Sequence, residues 1–474
     1  MKIFERKHAV DFPPLPVYIK QFTGYAAIIL IFLTAGCSKI GEHAPDPSQT
    51  PIHPIDKPNI ILVLGDDVGY EIPNYTGGES YVTPNIDNIA QQGMQFTRCH
   101  ATPLCSPSRF EMLTGKYNQR NYYTNSWGDL DRSQRTIANM LKDEGYATYA
   151  SGKWQLNGGD TSLHDFGFDN YCISNPYKLS TNESGSEGGI SLYKDPLIYT
   201  HGDYLADALT KGKYGEDIFR DSIFQFIDNN KDKPFFAYWA TNLCHAPFQP
   251  TPDDPEFATF DPTKPRELGD TIYYPSMVKY FDKEMGMLFH KIDSLGIGEK
   301  TIILFVLGDN GTESDINSLY KGQIIPGGKG KAIENGIHVP LIVYWRGTVA
   351  PGRIDRNIVD FTDFLPSIAG LCNVKVPASY GIIDGVNFSP QVFGEISTPR
   401  QWSYCYYDVN RKGDDGKIPT IWSLDTMYKL YDHKRGFYNY IVDPFENSRI
   451  RHDGATPQDN AARDRLQSVI DSYQ

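Results

Sequence analysis

The sequence predicts an α/β protein centred on a mostly parallel sheet. Two unbroken aliphatic runs, at 60–64 and 301–307, have the character of central parallel strands covered on both faces. Each ends in a glycine followed by acid or amide side chains, Gly65-Asp66-Asp67 and Gly308-Asp309-Asn310-Gly311. Such strand ends are where open α/β sheets bind ligands. Helical apolar spacing fills the intervals, as at 215–230 through Ile218, Ile223, Phe224 and Ile227.

At the start, Lys2, Arg6, Lys7 and Lys20 precede an apolar run at 22–36 and then Cys37. A charged start, an apolar stretch and small residues describe a secretory signal over 1–36. The run is shorter than the roughly 20 residues of a membrane-spanning helix. Ala35-Gly36-Cys37 resembles a bacterial lipobox, which implies a lipid anchor on Cys37 and a place in the periplasm or at the cell surface. Residues 37–57, rich in Pro, His and Asp, read as a flexible tether. A main domain is expected over 58–372 and a smaller one over 373–474.

Within the main domain, Thr83-Pro84-Asn85 opens a helix that Gly93 stops. A strand follows at 94–101, then a helix at 133–144 with Ile137, Met140 and Leu141 on its apolar side, and a short strand at 147–150. Residues 163–212, rich in Gly, Ser, Asn and Tyr, are expected to form an irregular surface insertion. After the 215–230 helix come a strand at 234–242, a long helix at 277–295 and the strand at 301–307. Residues 338–345 give a further strand and 362–371 a helix. From 373 the pattern breaks into short segments with turns, ending in a helix at 461–472.

Residues 104–115 read LCSPSRFEMLTG. Cys105, Pro107, Arg109 and Leu113-Thr114-Gly115 give the spacing C-x-P-x-R-x-x-x-L-T-G. In a helix, positions four apart share a face, which sets Arg109 beside Cys105, and Pro107 suits a first helical turn. The spacing resembles the signature of the type I sulfatases. The resemblance implies that a formylglycine-generating maturation enzyme oxidises Cys105 to Cα-formylglycine. The residue type then makes chemical sense. A thiol attacking a sulfate ester would be left as a thiosulfate ester, whereas a geminal diol attacks with one hydroxyl and expels sulfate with the other.

Other segments are similar to the family's remaining motifs, in the family's order, across residues 58–450: Asp66-Asp67 before Gly69, Gly152-Lys153-Trp154, His245-Ala246-Pro247, Asp309-Asn310-Gly311 and Gly328-Lys329-Gly330. The resemblance implies an alkaline-phosphatase-like fold, with a large mixed, mostly parallel sheet flanked by helices and a smaller C-terminal antiparallel sheet plus helix. The implied metal ligands are Asp66, Asp67, Asp309 and Asn310, with Cys105. Hard oxygen donors favour Ca2+, with Mg2+ as the alternative, over zinc. Lys153, Lys329 and His245 are implied to hold the sulfate, Arg109 to orient the nucleophile, and His245 to protonate the departing sugar oxygen. Gln155 departs from the family, whose histidine at this position is thought to deprotonate the formylglycine hydrate. Glutamine hydrogen-bonds but takes up no proton at pH 7.

A net charge of −13 disfavours nucleic acid or an anionic membrane as partner. It does not exclude an anionic substrate, for which local charge decides. The seven cysteines include no C-x-x-C, so zinc-type spacing is absent. Setting aside Cys37 and Cys105 leaves five, room for up to two disulfides in an oxidising compartment. Among the 31 tyrosines and other aromatics, Tyr122, Tyr123, Trp127, Tyr404, Tyr406 and Tyr407 are candidates for stacking against sugars. The expected function is an exported sulfuric ester hydrolase acting on a sulfated carbohydrate. Two rival readings stand beside it: a phosphonate or phosphate ester hydrolase on the same scaffold, and a degenerate sulfatase, marked by Gln155, kept as a surface glycan-binding protein.

Overall fold

The strand Asn59–Leu64 is wholly buried and forms the middle of the large sheet. It pairs in parallel with Phe235–Ala240 on one side and with Thr301–Val306 on the other. Ala147–Gly152 and Asn170–Ser174 extend the parallel block beyond Phe235–Ala240. Beyond Thr301–Val306 lies His338–Tyr344, antiparallel, and then Met94–His100. Met94–His100 is antiparallel to that neighbour, so it runs the same way as Asn59–Leu64. Short strands finish both edges, bringing the sheet to eleven strands among the described residues. The computed structural model describes residues 57–121, 130–156, 158–174, 193–262, 271–408, 419–433 and 436–474. The expected signal, Cys37 and the tether up to residue 56, as well as Tyr122, Tyr123 and Trp127, lie outside them.

Strand alternation sends Ile60, Leu62 and Leu64 to one face and Ile61 and Val63 to the other. The helices Cys105–Thr114, Ile137–Asp143 and Phe364–Leu371 cover the first face. Pro84–Gln92, Gly215–Asn230 and Tyr274–Ser294 cover the second. Each fully buried large apolar side chain contributes about 1.5–3 kcal/mol, which explains why aliphatic and aromatic residues fill both faces of the central strands.

Two expectations need correction. The helix expected at 133–144 starts only at Ile137, because Thr136 caps it, its hydroxyl accepting from the Ala138 and Asn139 N–H groups. The segment 163–212 is not a simple insertion. It contributes Asn170–Ser174, Ile198–Thr200 and Asp203–Tyr204 to the sheet edge. Leu163, Phe166, Phe168, Tyr171 and Ile173 are buried. Strands this short show no legible period of two, and polar residues around them mask the buried ones.

The C-terminal part carries the expected antiparallel sheet, Ser403–Tyr407, Thr420–Leu424, Tyr428–Tyr431 and Gly436–Asn439 in that order, with Pro457–Asp471 packed on it through Leu466 and Ile470. Tyr404 stacks on Tyr473 with ring centroids 4.3 Å apart, and Tyr407 is buried with its hydroxyl donating to the Gly330 carbonyl at 3.1 Å. Neither is an open sugar platform; Tyr406 is half-buried. Buried Arg400 ties this part to the main core, its guanidinium on Asp363, the Tyr117 hydroxyl (2.9 Å) and the Asp384 carbonyl (2.9 Å). The six described cysteines are buried and unbridged, so no disulfide forms among the described residues.

Candidate active site

Six distant segments reach one edge of the large sheet. The carboxyl ends of four adjacent parallel strands deliver, in sheet order, Asp309 and Asn310, Asp66 and Asp67, His245, and Lys153. Met94–His100 runs the same way and hands over to the Cys105 helix. His338–Tyr344 runs the opposite way, so its beginning, with the Lys329 loop before it, lies at that edge as well.

Local backbone geometry fixes these groups. The Asp66 N–H donates to the Leu243 carbonyl at 2.9 Å and the Cys244 N–H donates back to the Asp66 carbonyl at 2.6 Å, which stitches the two strand ends together. Gly152 has φ +90°, and a Cβ there would stand 1.9 Å from the Ala240 carbonyl oxygen. Only glycine lets the chain turn there and aim Lys153 inward.

Arg109 is fully buried at the centre. Its Nε and Nη2 reach Asp309 Oδ2 at 2.9 and 2.8 Å, its Nη1 donates to the Lys153 carbonyl at 2.9 Å, and Nη2 stands 3.7 Å from Asp66. The Lys153 ammonium pairs with the Asp66 carboxylate. Lys329 Nζ lies 2.6 Å from Asp67 Oδ2 and 3.0 Å from Glu313. Asn310 Nδ2 donates to Asp67 Oδ1 at 2.7 Å, and His245 Nε2 is 3.8 Å from Asp67 Oδ2. Cys105 opens its helix, as the Pro107 spacing implies, and is buried. Gln155 lies at the foot of that helix, where its carbonyl accepts from Ser106 Oγ at 3.1 Å. Its backbone is left-handed, with φ +48°.

Three carboxylates, Asp66, Asp67 and Asp309, thus face three cations, Arg109, Lys153 and Lys329. Burial opposes ionisation of Asp67, yet the Lys329 ammonium bonded to it holds its carboxyl below the usual range. Burial raises Asp66 despite Lys153 beside it, and burial with the nearby Asp66 charge brings Asp309 up to about 6. Burial, together with Lys153 and Lys329, lowers His245 to about 3. Burial also pushes the Cys105 thiol up, so an unconverted thiol here is un-ionised and a poor nucleophile.

The donor set fits a divalent cation. Both Asp66 carboxylate oxygens and Asn310 Oδ1 are buried without a hydrogen-bond partner, although the Lys153 ammonium lies alongside Asp66. Buried oxygens of this kind need a partner. Asp66, Asp67 and His245 offer ligand atoms within 4.8 Å of one another. Oxygen predominates, which favours Ca2+ or Mg2+. Sequence reading assigned His245 a sulfate-holding role rather than a place among these donor atoms.

Sequence reading also missed Glu216, Tyr193 and Glu313. Buried Glu216 accepts from the Thr241 hydroxyl (2.6 Å), the Asn242 N–H (3.2 Å) and Asn242 Nδ2 (2.8 Å). The Tyr193 hydroxyl lies 2.7 Å from the carbonyls of both Asn242 and His245. Together they brace the loop that carries His245 and adjoins Asp66. No local pattern marks an isolated acid or tyrosine of this kind.

The Sulfatase family profile matches residues 58–374. The chain is 30% identical over 418 residues to an N-acetylgalactosamine-6-O-sulfatase of Bacteroides thetaiotaomicron, covering 73% of this chain and 78% of that one. Solved structures with the same fold include a protein in complex with its substrate D-glucosamine-2-N,6-O-disulfate, with a TM-score of 0.68, 20% identity, and coverage of 88% of this chain and 97% of that one. They also include a phosphonate monoester hydrolase of Agrobacterium radiobacter, with a TM-score of 0.63, 19% identity, and coverage of 88% and 95%. With the site motifs in their family order and a family match across most of its length, the chain belongs to the sulfatases, enzymes that hydrolyse sulfate esters.

Proposed function

We propose that this enzyme removes sulfate from a carbohydrate, using Cα-formylglycine formed from Cys105 and a Ca2+ ion. The reading rests on one observation above all: Cys105, Arg109, Lys153, Lys329 and His245 converge beside orphaned carboxylate and amide oxygens at a single sheet edge. The hydrated aldehyde would supply a nucleophilic hydroxyl and a second hydroxyl for sulfate release. Asp66, Asp67, Asp309 and Asn310 would hold the divalent ion, which supplies positive charge for the anionic ester.

The three carboxylates and three cations cancel, so a divalent ion leaves the pocket positive and ready for an anion. Lys153 and Lys329 each have a carboxylate partner at hand and can turn to sulfate oxygens without a new side chain entering. Preorganised cations of this kind stabilise charge on the transferring group. His245 donates its Nδ1–H to the Ala246 carbonyl, and burial beside Lys153 and Lys329 keeps the ring neutral, so its Nε2 lone pair faces the site. It becomes a general acid for the leaving sugar oxygen only once bound sulfate favours its protonated form.

The 6-O-sulfated amino sugar in the relative's name makes N-acetylgalactosamine 6-sulfate the first substrate to try. Export and lipid anchoring at Cys37 belong to the same proposal and rest on residues 22–37. The test is release of inorganic sulfate by protein matured in a host with a formylglycine-generating enzyme, against Cys105→Ala. Mass spectrometry of the peptide bearing residue 105 reads the conversion. Equal turnover by both proteins rules out this nucleophile. Faster turnover of an aryl phosphonate than of any sulfate favours the phosphonate hydrolase reading, and conversion without turnover favours a binding protein.

A further inference from the structure

Glu313 has no part in the reading above, yet it reaches the same site. Its Oε2 stands 3.0 Å from Lys329 Nζ, whose other carboxylate partner is Asp67 at 2.6 Å. Its Oε1 accepts from the Ser314 backbone N–H at 2.9 Å. The carboxylate is therefore fixed at both oxygens. Side-chain exposure rises from 0% at Asp67 through 14% at Lys329 to 22% at Glu313. Lys329 thus bridges a carboxylate on the floor of the site and one at its mouth. Among the described residues, Lys329 is the cation that pairs with Glu313.

A sulfate held by Lys153 and Lys329 over Cys105 has buried groups beneath it, so its sugar must point outward. The side chain that Lys329 meets on the outward side is Glu313. We propose that Glu313 reads the substrate beside the scissile ester, accepting a hydrogen bond from a neutral hydroxyl or amide N–H and excluding a second sulfate or carboxylate. This rests on the sulfatase reading of the site. An ionised carboxylate only accepts, so a donor suits it and a neighbouring anion does not. Lys329 cannot neutralise such an anion, because Asp67 and the scissile sulfate already share its charge.

The alternative is that Glu313 merely supports Lys329. The two differ in one readout. Support of Lys329 acts on every sulfate ester alike, whereas contact with the rest of the substrate changes the ratio between esters. The probes are 4-nitrocatechol monosulfate, with a hydroxyl beside the ester, and the corresponding disulfate, with a second anion there. The matured full-length enzyme should prefer the monosulfate, and Glu313→Gln should shrink that preference in kcat/KM by about tenfold, the size expected of one like-charge contact at a partly solvated site. Glu313→Gln is near-isosteric and keeps an acceptor for the Ser314 N–H, and an unchanged thermal transition shows that it is folded. An equal loss on both esters, or no change in their ratio, overturns the proposal. No sulfate from either ester with the unsubstituted enzyme overturns the underlying reading, a different failure.

Discussion

Removing the Glu216 carboxylate should weaken the fold and the site together. Glu216 is fully buried, and three donors point at it: the Thr241 hydroxyl, the Asn242 backbone N–H and the Asn242 side-chain amide. Thr241 and Asn242 are themselves buried. Glu216→Ala strands these donors, and at about 1 kcal/mol or more each the cost is about 3 kcal/mol at least. The loop also holds Asp66 through Leu243 and Cys244, and a displacement of about 1 Å at a reacting group costs about 100-fold in rate. Glu216→Gln tests the charge separately. Burial raises this carboxyl from its ordinary 4.5 to about 7, against the pull of its Thr241 and Asn242 hydrogen bonds. Between those pH values the folded protein keeps a proton that the unfolded chain has lost. The contribution is therefore complete below pH 4.5 and is lost as pH rises through about 7, a fall of about 3 kcal/mol. Urea denaturation of the unsubstituted protein and Glu216→Gln at pH 5, 6, 7 and 8 reads this as a difference curve that slopes down and then flattens. Parallel curves for the two proteins, or Glu216→Ala with an unshifted midpoint and full activity, would refute the reasoning.

Other perturbations reach other parts of the molecule. Gln155→His adds a proton acceptor at the foot of the Cys105 helix and should raise kcat by about tenfold or more; an unchanged kcat in a folded variant shows that another group already takes the proton. Chelation should abolish sulfate release and lower the thermal transition, and Ca2+ at about 100 times its Kd should restore about 2.7 kcal/mol; a transition insensitive to both EDTA and Ca2+ counts against a metal at Asp66 and Asp67. Arg400→Met leaves Asp363 buried without its guanidinium partner and should cost about 3–5 kcal/mol in urea denaturation, whereas a loss below about 1 kcal/mol would mean that water or relaxation replaces that partner.

The parts of this fold legible in the sequence were those with strong local signals. The runs at 60–64 and 301–307 are central strands because both faces are covered, and covered strands need unbroken aliphatics. The site residues could be read because each sits in a short motif at a strand end, where the backbone leaves little choice. What escaped reading lacks such a signal. Asn170–Ser174 is a strand because Ala147–Gly152 offers it an edge, a fact of tertiary structure. Tyr404 looked available to a sugar until the C-terminal helix brought Tyr473 onto its face. Glu216 and Glu313 matter through partners 25 and 16 residues away in the chain, and no window of sequence contains both ends of such a contact.

Cys105 begins a helix that is buried along its length, and only 4% of the residue's own surface meets solvent. On the formylglycine proposal, a second protein must reach this sulfur and the peptide around it. The finished fold cannot offer that peptide without unwinding the helix beneath Arg109 and parting the Asp309 ion pair. Maturation on that proposal therefore carries a deadline: the sulfur would have to be exchanged for oxygen before the chain folds. A molecule that folded first would keep its thiol, sealed at the start of its own buried helix.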